Sequence, residues 1–369
     1  MSFHNYYAGK RVLVTGHTGF KGAWLSVWLL SLGAKVCGFS KDIPTKPSLF
    51  ALAQLATKLE HHIGDVRDFS LLKKVIHTFH PDIIFHLAAQ PIVSFSYENP
   101  LETITSNVTG TANVLEVLRK IEWPCTAIII TSDKCYDNLE WVWGYREIDA
   151  LGGKDIYSGS KGAAELIFRS YYYSFFCKAD HPVRVVSARA GNVIGGGDWA
   201  SDRIVADCIR AWGSNETVEI RSPKATRPWQ HVLEPLSGYL TLAVDLASNV
   251  KLNGQSYNFG PRAEQNHTVV ELLDELGKVW GLASSDKAYK ITANIPFHEA
   301  GLLKLNCDKA LLELRWEANL FYQECVQLTG SWYRDVLQKK QDAYEVTMKH
   351  ICNYENLASE RQRIWQQER

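Results

Sequence analysis

The chain has 369 residues, more than one hydrophobic core usually serves, and so reads as two domains. Its 40 basic and 40 acidic side chains cancel, which removes the electrostatic footprint of a general nucleic-acid binder, so no nucleic-acid partner is expected. With 46% hydrophobic and 22% charged residues it is neither disordered nor membranous, and its longest apolar stretch, Ala23 to Leu32, is broken by serines and covers about half a membrane span. Met1-Ser2-Phe3-His4-Asn5 lacks the basic and apolar regions of a signal peptide, so the expectation is a cytoplasmic protein with no membrane partner.

In chain order, Arg11 to Thr15 reads as a buried strand and Gly22 to Leu32 as a helix ending at Gly33. Lys35–Phe39 is a second strand, and Leu59–Ile63, after a polar stretch, a third. Helix Ser70–Phe79 leads to strand Ile83–His86, helix Asn107–Ile121 to strand Ala127–Thr131, and a helix from Tyr157 to about Phe176 to strand Val183–Ala188. Short apolar strands alternating with helices predict an α/β fold, a Rossmann-type doubly wound parallel sheet. After Asn192 the turn-rich Gly195-Gly196-Gly197-Asp198 and shorter, less regular segments predict a second, smaller α/β substrate domain. The expected division is 1–190 for a dinucleotide-binding domain and 191–369 for a substrate domain, with part of 228–262 returning to the first sheet. Glu271–Trp280 and Lys309–Leu314 read as helices, and the last thirty residues as a polar surface helix.

The eight cysteines are scattered without a C-x-x-C pair, which suits small buried hydrophobes better than disulfides or zinc ligands. The twelve histidines show no H-E-x-x-H spacing, and no metal is expected.

Thr15-Gly16-His17-Thr18-Gly19-Phe20-Lys21-Gly22 sits between a buried strand and a helix. Gly16, Gly19 and Gly22 allow a tight turn that brings backbone N–H groups and the positive helix end to a pyrophosphate, so this segment predicts dinucleotide binding. About 20 residues on, where a carboxylate usually accepts from the adenosine ribose, the sequence has Ser40, with Asp42 either reaching the ribose or serving as a loop residue. The choice between NAD and NADP stays open on these residues. Further on, Tyr157 and Lys161 lie four apart on a predicted helix and so share a face. A tyrosine with a pKa of about 10 becomes a base at neutral pH only when neighbouring positive charge stabilises its phenolate, which the lysine ammonium can supply. Just before this helix, Ser132-Asp133-Lys134 places a hydroxyl, an acid and an amine at a strand end.

The G-x-x-G-x-x-G turn, His86-Leu87-Ala88-Ala89-Gln90, Asn107-Val108-Thr109-Gly110-Thr111 and the Tyr157/Lys161 pair together resemble the extended short-chain dehydrogenase/reductase superfamily. Within it, the run from Thr131 to Asn138, with Asp133 where these enzymes carry an acid, resembles the nucleotide-sugar 4,6-dehydratases over nearly the whole chain. Lys134 stands where many of them have glutamate and resembles the branch acting on CDP-glucose. The resemblance implies NAD as cofactor and CDP-glucose as substrate, converted to a 4-keto-6-deoxy sugar, in a homo-oligomer, either dimer or tetramer.

For the site, the resemblance implies catalytic roles for Ser132, Asp133, Lys134, Tyr157 and Lys161. It implies cofactor contacts from Gly16, Thr18, Gly19, Phe20, Lys21, Gly22, Ser40, Asp65, Val66, Leu87, Ala88, Ala89, Asn107 and Thr131, besides Tyr157 and Lys161. Substrate contacts are implied for Asn192, Arg203, Arg227, His231 and His298. Tyr157 would take the C4 hydroxyl proton, Asp133 would protonate the departing C6 hydroxyl, and Lys134 is the candidate C5 base. A UDP-sugar 4-epimerase would share the turn and the Tyr157/Lys161 pair but has no need of an acid and an amine beside Ser132.

Overall fold

The computed structural model describes residues 2–220, 222–223, 225–284, 287–292 and 302–367. Its centre is a seven-stranded sheet. The strands are β1 (Arg11–Thr15), β2 (Lys35–Ser40), β3 (Glu60–Ile63), β4 (Ile83–His86), β5 (Cys125–Ile130), β6 (Val183–Ala190) and β7 (Ser256–Phe259). All neighbours pair in parallel, in the order β7-β6-β5-β4-β1-β2-β3. The order reverses between β1 and β4, so the loops leaving those two strands open the crevice where such sheets bind ligands. β1, β4 and β5 are buried almost throughout, as parallel strands covered on both faces must be.

The helices that concern the site are α1 (Phe20–Ser31), α2 (Gly110–Leu118), α3 (Ile156–Tyr171), α4 (Leu233–Ser248) and α5 (Ala343–Glu360). α1 starts at Phe20, two residues before the expected Gly22. The expected helix from Asn107 begins instead as a π-turn, Thr105–Thr109, before α2. α3 ends in a second π-turn, Tyr172–Phe176. Its start is fixed by Asp155, whose carboxylate accepts from the Ser158 backbone N–H (2.9 Å) and hydroxyl (2.6 Å), a side-chain cap for otherwise unpaired donors.

Two elements depart from the sequence expectation. The C-terminal helix α5 is not a solvated surface helix. It buries Val346, Ile351 and Tyr354, and the Tyr354 ring meets Trp28 of α1 edge-on with centroids 5.7 Å apart. Its many charges occupy the outer face and mask the apolar stripe in a composition count. The second departure is α4, whose sixteen residues include thirteen buried ones, too uniformly buried for a helical period to stand out. β7, which follows it, adds to the sheet beyond β6, and one hydrophobic cluster runs from β1 and α1 through α4 to α5.

Candidate functional site

The glycine turn after β1 is built for a closely approaching ligand. Gly16 has φ +77°, and a Cβ there would lie 2.8 Å from the Ala88 nitrogen. A Cβ on Gly22 would lie 2.1 Å from the Gly16 carbonyl oxygen, so turn, helix and the loop after β4 close on one another only without side chains. Leu87 and Ala88 are fastened to this turn: Leu87 N donates to the Thr15 carbonyl (3.1 Å) and Ala88 N to Thr15 Oγ1 (3.2 Å). The cradle thus fits a dinucleotide pyrophosphate at the start of α1, a twelve-residue helix whose first N–H groups include Phe20 and Lys21.

At the ribose end the side chains are already engaged. Ser40 Oγ accepts from Thr18 N (3.3 Å) and pairs with His17 Nδ1 (2.8 Å), while Thr18 Oγ1 donates to the Asp42 carbonyl (2.6 Å). The buried His17 ring pairs in turn with His61 (2.7 Å), an arrangement the glycine spacing did not announce. Burial, with His61 adding to it, lowers the His17 pKa to about 3, so the pair is neutral. Asp65 is committed to Arg67: its carboxylate accepts from the guanidinium at 2.6 Å and from the Arg67 N–H at 2.9 Å. Burial pushes the Asp65 carboxyl up, but those bonds outweigh it and hold it below its ordinary value. Val66 beside it is buried against the place where a Gly110 Cβ would stand. Asn107 ties the loop after β4 to α3, donating to Ser160 Oγ (2.9 Å) and the Gln90 carbonyl (3.1 Å) and accepting from Gln90 N (2.8 Å). Ala89 lies in the same loop, partly buried.

The reactive side chains gather where β5 ends. Ser132 caps a 3₁₀ turn, Asp133–Cys135, and its Oγ accepts from Lys134 N (3.3 Å) and donates to Asp133 Oδ1 (2.9 Å). Asp133 is 5% exposed, and burial raises its pKa against the opposing pull of Lys134, Ser132 and Lys21. Gly191 leaves room for it: a Cβ there would stand 3.1 Å from Asp133 Oδ2. Tyr157 and Lys161 are both buried in the first turns of α3. Burial raises the Tyr157 pKa, and the Ser132 hydroxyl and the charge of Arg203 work against that rise. Burial lowers the Lys161 amine to about 8, opposed by Cys135 and Glu165. Lys21 likewise falls to about 8 through burial and the nearby Arg203, with Asp133 and Asp198 pulling the other way.

The structure therefore brings Ser132, Asp133, Lys134, Tyr157, Lys161, Lys21 and Arg203 into one electrostatic neighbourhood, while the other residues expected to touch substrate are scattered. Asn192 follows Gly191 and is partly buried. Arg227 lies in a two-residue antiparallel ladder with His267 and donates to the Thr226 carbonyl (2.9 Å). His231 has no exposed surface: its Nδ1 accepts from Leu233 N (3.3 Å), and its ring meets Trp24 edge-on. His298 lies outside the described residues.

Sequence reasoning missed the polar framework behind these groups, above all Glu165 and its ion pair with Arg189. The signal was present, because Glu165 lies four residues beyond Lys161 and hence on the same helix face. Among the described residues one trio could hold a metal ion: Cys37, Glu60 and His62, on β2 and β3. Burial pushes the Cys37 thiol up to about 12, which disfavours the thiolate a metal needs.

A parallel sheet with a glycine turn after its first strand, and a Tyr-x-x-x-Lys helix against its fifth, defines an extended short-chain dehydrogenase/reductase. The chain belongs to the GDP-mannose 4,6 dehydratase family, whose pattern matches residues 13–329. It is 48% identical over 333 residues, 89% of this chain and 92% of the relative, to the CDP-glucose 4,6-dehydratase of Salmonella typhimurium. It is 27% identical over 291 residues to the CDP-paratose 2-epimerase of Salmonella typhi, 71% of this chain and 82% of that one. Among solved structures, the dTDP-glucose 4,6-dehydratase of Bacillus anthracis in complex with NAD matches with a TM-score of 0.72 at 21% identity, covering 90% of this chain and 97% of that one. An epimerase of Methanothermobacter thermautotrophicus matches at 0.77 and 22%, covering 91% and 96%. Dehydratases and epimerases thus share this fold.

Proposed function

We propose that this protein is an NAD-dependent dehydratase that converts CDP-D-glucose to CDP-4-keto-6-deoxy-D-glucose. The observation that carries the reading is the near-full-length identity with the Salmonella CDP-glucose enzyme, joined to a buried acid, Asp133, three residues past the end of β5. An epimerase has no use for that acid.

When bound, NAD supplies the acceptor for the hydride leaving C4 and the donor that returns it at C6. The residues of this chain handle the protons. Tyr157 takes the C4 hydroxyl proton, with the Ser132 hydroxyl and the charge of Arg203 favouring its ionised form against burial. The C4 ketone acidifies the C5 hydrogen, and Lys134 is placed in this reading as the group that removes it. Asp133, whose pKa burial raises, gives its proton to the departing C6 hydroxyl. In this reading the glycine turn with Lys21, Ser40 and the loop from Leu87 to Ala89 hold the dinucleotide, while Asn192 and Arg203 bind the sugar nucleotide.

The same reading assigns NAD binding to residues 1–190 with the returning β7, and the nucleotide sugar to the remainder. It extends to a cytoplasmic homo-oligomer, dimer or tetramer, that supplies 6-deoxysugar precursors for O-antigen lipopolysaccharide. Among the described residues, no helix is long and apolar enough to cross a membrane. The test is a panel of CDP-, dTDP- and UDP-glucose, each followed by the alkaline absorbance of a 4-keto-6-deoxy product. Product from CDP-glucose at the highest kcat/KM is expected. An epimerised sugar without water loss would overturn the reading.

A further inference from the structure

Behind the end of β5 lies a second polar cluster that the proposed chemistry does not use. Its centre is the ion pair between Arg189 Nη2 on β6 and Glu165 Oε2 on α3 (2.8 Å), with side chains 4% and 1% exposed. Thr131 Oγ1 donates to Glu165 Oε1 at 2.5 Å, and Ser187 Oγ to Oε2 at 2.9 Å. Arg189 Nη1 donates to Tyr136 OH (2.8 Å) and to the Glu147 carbonyl (3.1 Å), and the guanidinium lies 5.0 Å from the Tyr136 ring centroid. Tyr136 OH donates onward to Asn258 Oδ1 on β7 (2.8 Å).

The connectivity matters more than the number of bonds. Thr131 and Tyr136 are the residues on either side of Ser132-Asp133-Lys134-Cys135. Thr131 is held by the carboxylate half of the pair and Tyr136 by the guanidinium half. The carboxylate itself grows from α3, one turn beyond Lys161 and two beyond Tyr157. The run carrying Asp133 and Lys134 is thus fastened at both ends to the helix carrying Tyr157 and Lys161, through one buried ion pair. Burial pushes Glu165 up, but Arg189 and the hydroxyl donors outweigh it and keep the carboxyl below its ordinary value, so the clamp is charged on both sides.

We infer that Glu165 and Arg189, acting through Thr131 and Tyr136, are positioning residues that set the register between the groups acting at C5 and C6 and the pair acting at C4. This rests on the proposed 4,6-dehydratase reading. A buried ion pair is not in itself a source of stability, because desolvation offsets its attraction, and a geometric role accounts for its placement better. The two half-reactions lean on the run after β5 unequally: proton removal at C4 is done by Tyr157 on α3 and takes only the Ser132 hydroxyl from that run, whereas water loss across C5 and C6 needs both Asp133 and Lys134 aligned to the same sugar. A displacement of about 1 Å can slow a reaction by roughly 10²-fold, so loosening one anchor should separate the two.

The test follows both half-reactions in the holoenzyme with CDP-glucose in D₂O. C4 oxidation is read from the near-ultraviolet band of the reduced nicotinamide in a single turnover, and C5 labilisation from solvent deuterium entering C5. Tyr136→Phe removes one anchor and leaves the ion pair whole. Its C5 exchange should fall roughly tenfold or more relative to its C4 oxidation, so that the oxidised sugar accumulates. Glu165→Gln should depress both half-reactions per folded molecule, because it releases Thr131 and leaves Arg189 unpaired, and Glu165→Asp should restore part of each. Should Glu165→Gln fail to fold, the ratio in Tyr136→Phe still decides. Equal slowing of both steps in Tyr136→Phe, or an unchanged ratio, would overturn the inference. Wild-type protein that never oxidises C4 would instead remove the 4,6-dehydratase reading itself.

Discussion

Two buried carboxylates flank the end of β5, and their surroundings treat them oppositely. Glu165 is met by an arginine and three hydroxyls and stays ionised in spite of its burial. Asp133 has one hydroxyl donor, Ser132, and among the described residues no arginine ion pair; Lys134 and Lys21 pull its pKa down, but burial prevails and its proton is held to higher pH. The difference teaches that burial alone does not set the charge state of a carboxyl group; the number and charge of its donors do. One region becomes a fixed support, and the other keeps a proton it can give away.

The predictions test that contrast, beginning with the largest effect. Tyr157→Phe keeps the ring and removes the proton acceptor, so single-turnover C4 oxidation should slow by about 10²–10⁴-fold. Near-normal oxidation would assign the step to another group. Asp133→Asn removes the acid, and water loss should fall by about 10²-fold while C4 oxidation persists. In wild type, water loss should also decline as pH rises through the elevated Asp133 pKa, a limb that the variant lacks. Lys134→Ala should leave C4 oxidation intact and stop solvent deuterium from entering C5; exchange at the wild-type rate would leave Lys134 an electrostatic role only.

A third buried carboxylate sharpens the comparison from outside the site. Glu234 on α4 accepts from Asn319 N (2.8 Å), Leu320 N (2.6 Å) and Tyr354 OH (2.9 Å), fastening α5 to α4. Burial raises its pKa from 4.5 to about 7. Its folded-state pKa is above the unfolded one, so its contribution to stability is fully present below about 4.5 and is lost as pH rises through about 7. Glu234→Gln should lower stability by about 1–3 kcal/mol, because buried donors lose an acceptor, and should flatten the denaturation midpoint across that window. A variant with the wild-type pH slope would place the titration elsewhere. The smallest effect concerns Ser40, whose hydroxyl is engaged by Thr18 and His17 and has little left for a ribose. Ser40→Asp should tighten NAD by about tenfold or less, worth about 1.4 kcal/mol, in equilibrium titration. Unchanged affinity would mean that position 40 does not meet the ribose.

Much of this was legible in the residues themselves. Short strands alternating with helices gave six strands of the sheet; the buried ones read as apolar runs, whereas β3 is a partly exposed edge strand placed by the alternation. Gly16 and Gly22 announced the turn, since no side chain fits there. Tyr157 and Lys161 declared a shared face by their spacing. What stayed hidden were features made by pairing distant segments. α4 is buried on nearly all sides, and Arg189 finds Glu165 across 24 residues. The contact of His231 with Trp24 was equally hidden, because an isolated histidine carries no sign of which way it faces.

The central claim is an internal redox cycle in which C4 is oxidised and C6 reduced within one sugar. Deuterium at C4 of CDP-glucose tests it most directly, read by NMR and mass spectrometry of the purified product. The account predicts that the label reappears at C6 of the 4-keto-6-deoxy product, with no net reduction of NAD. Label lost to solvent or recovered in released reduced cofactor would contradict it.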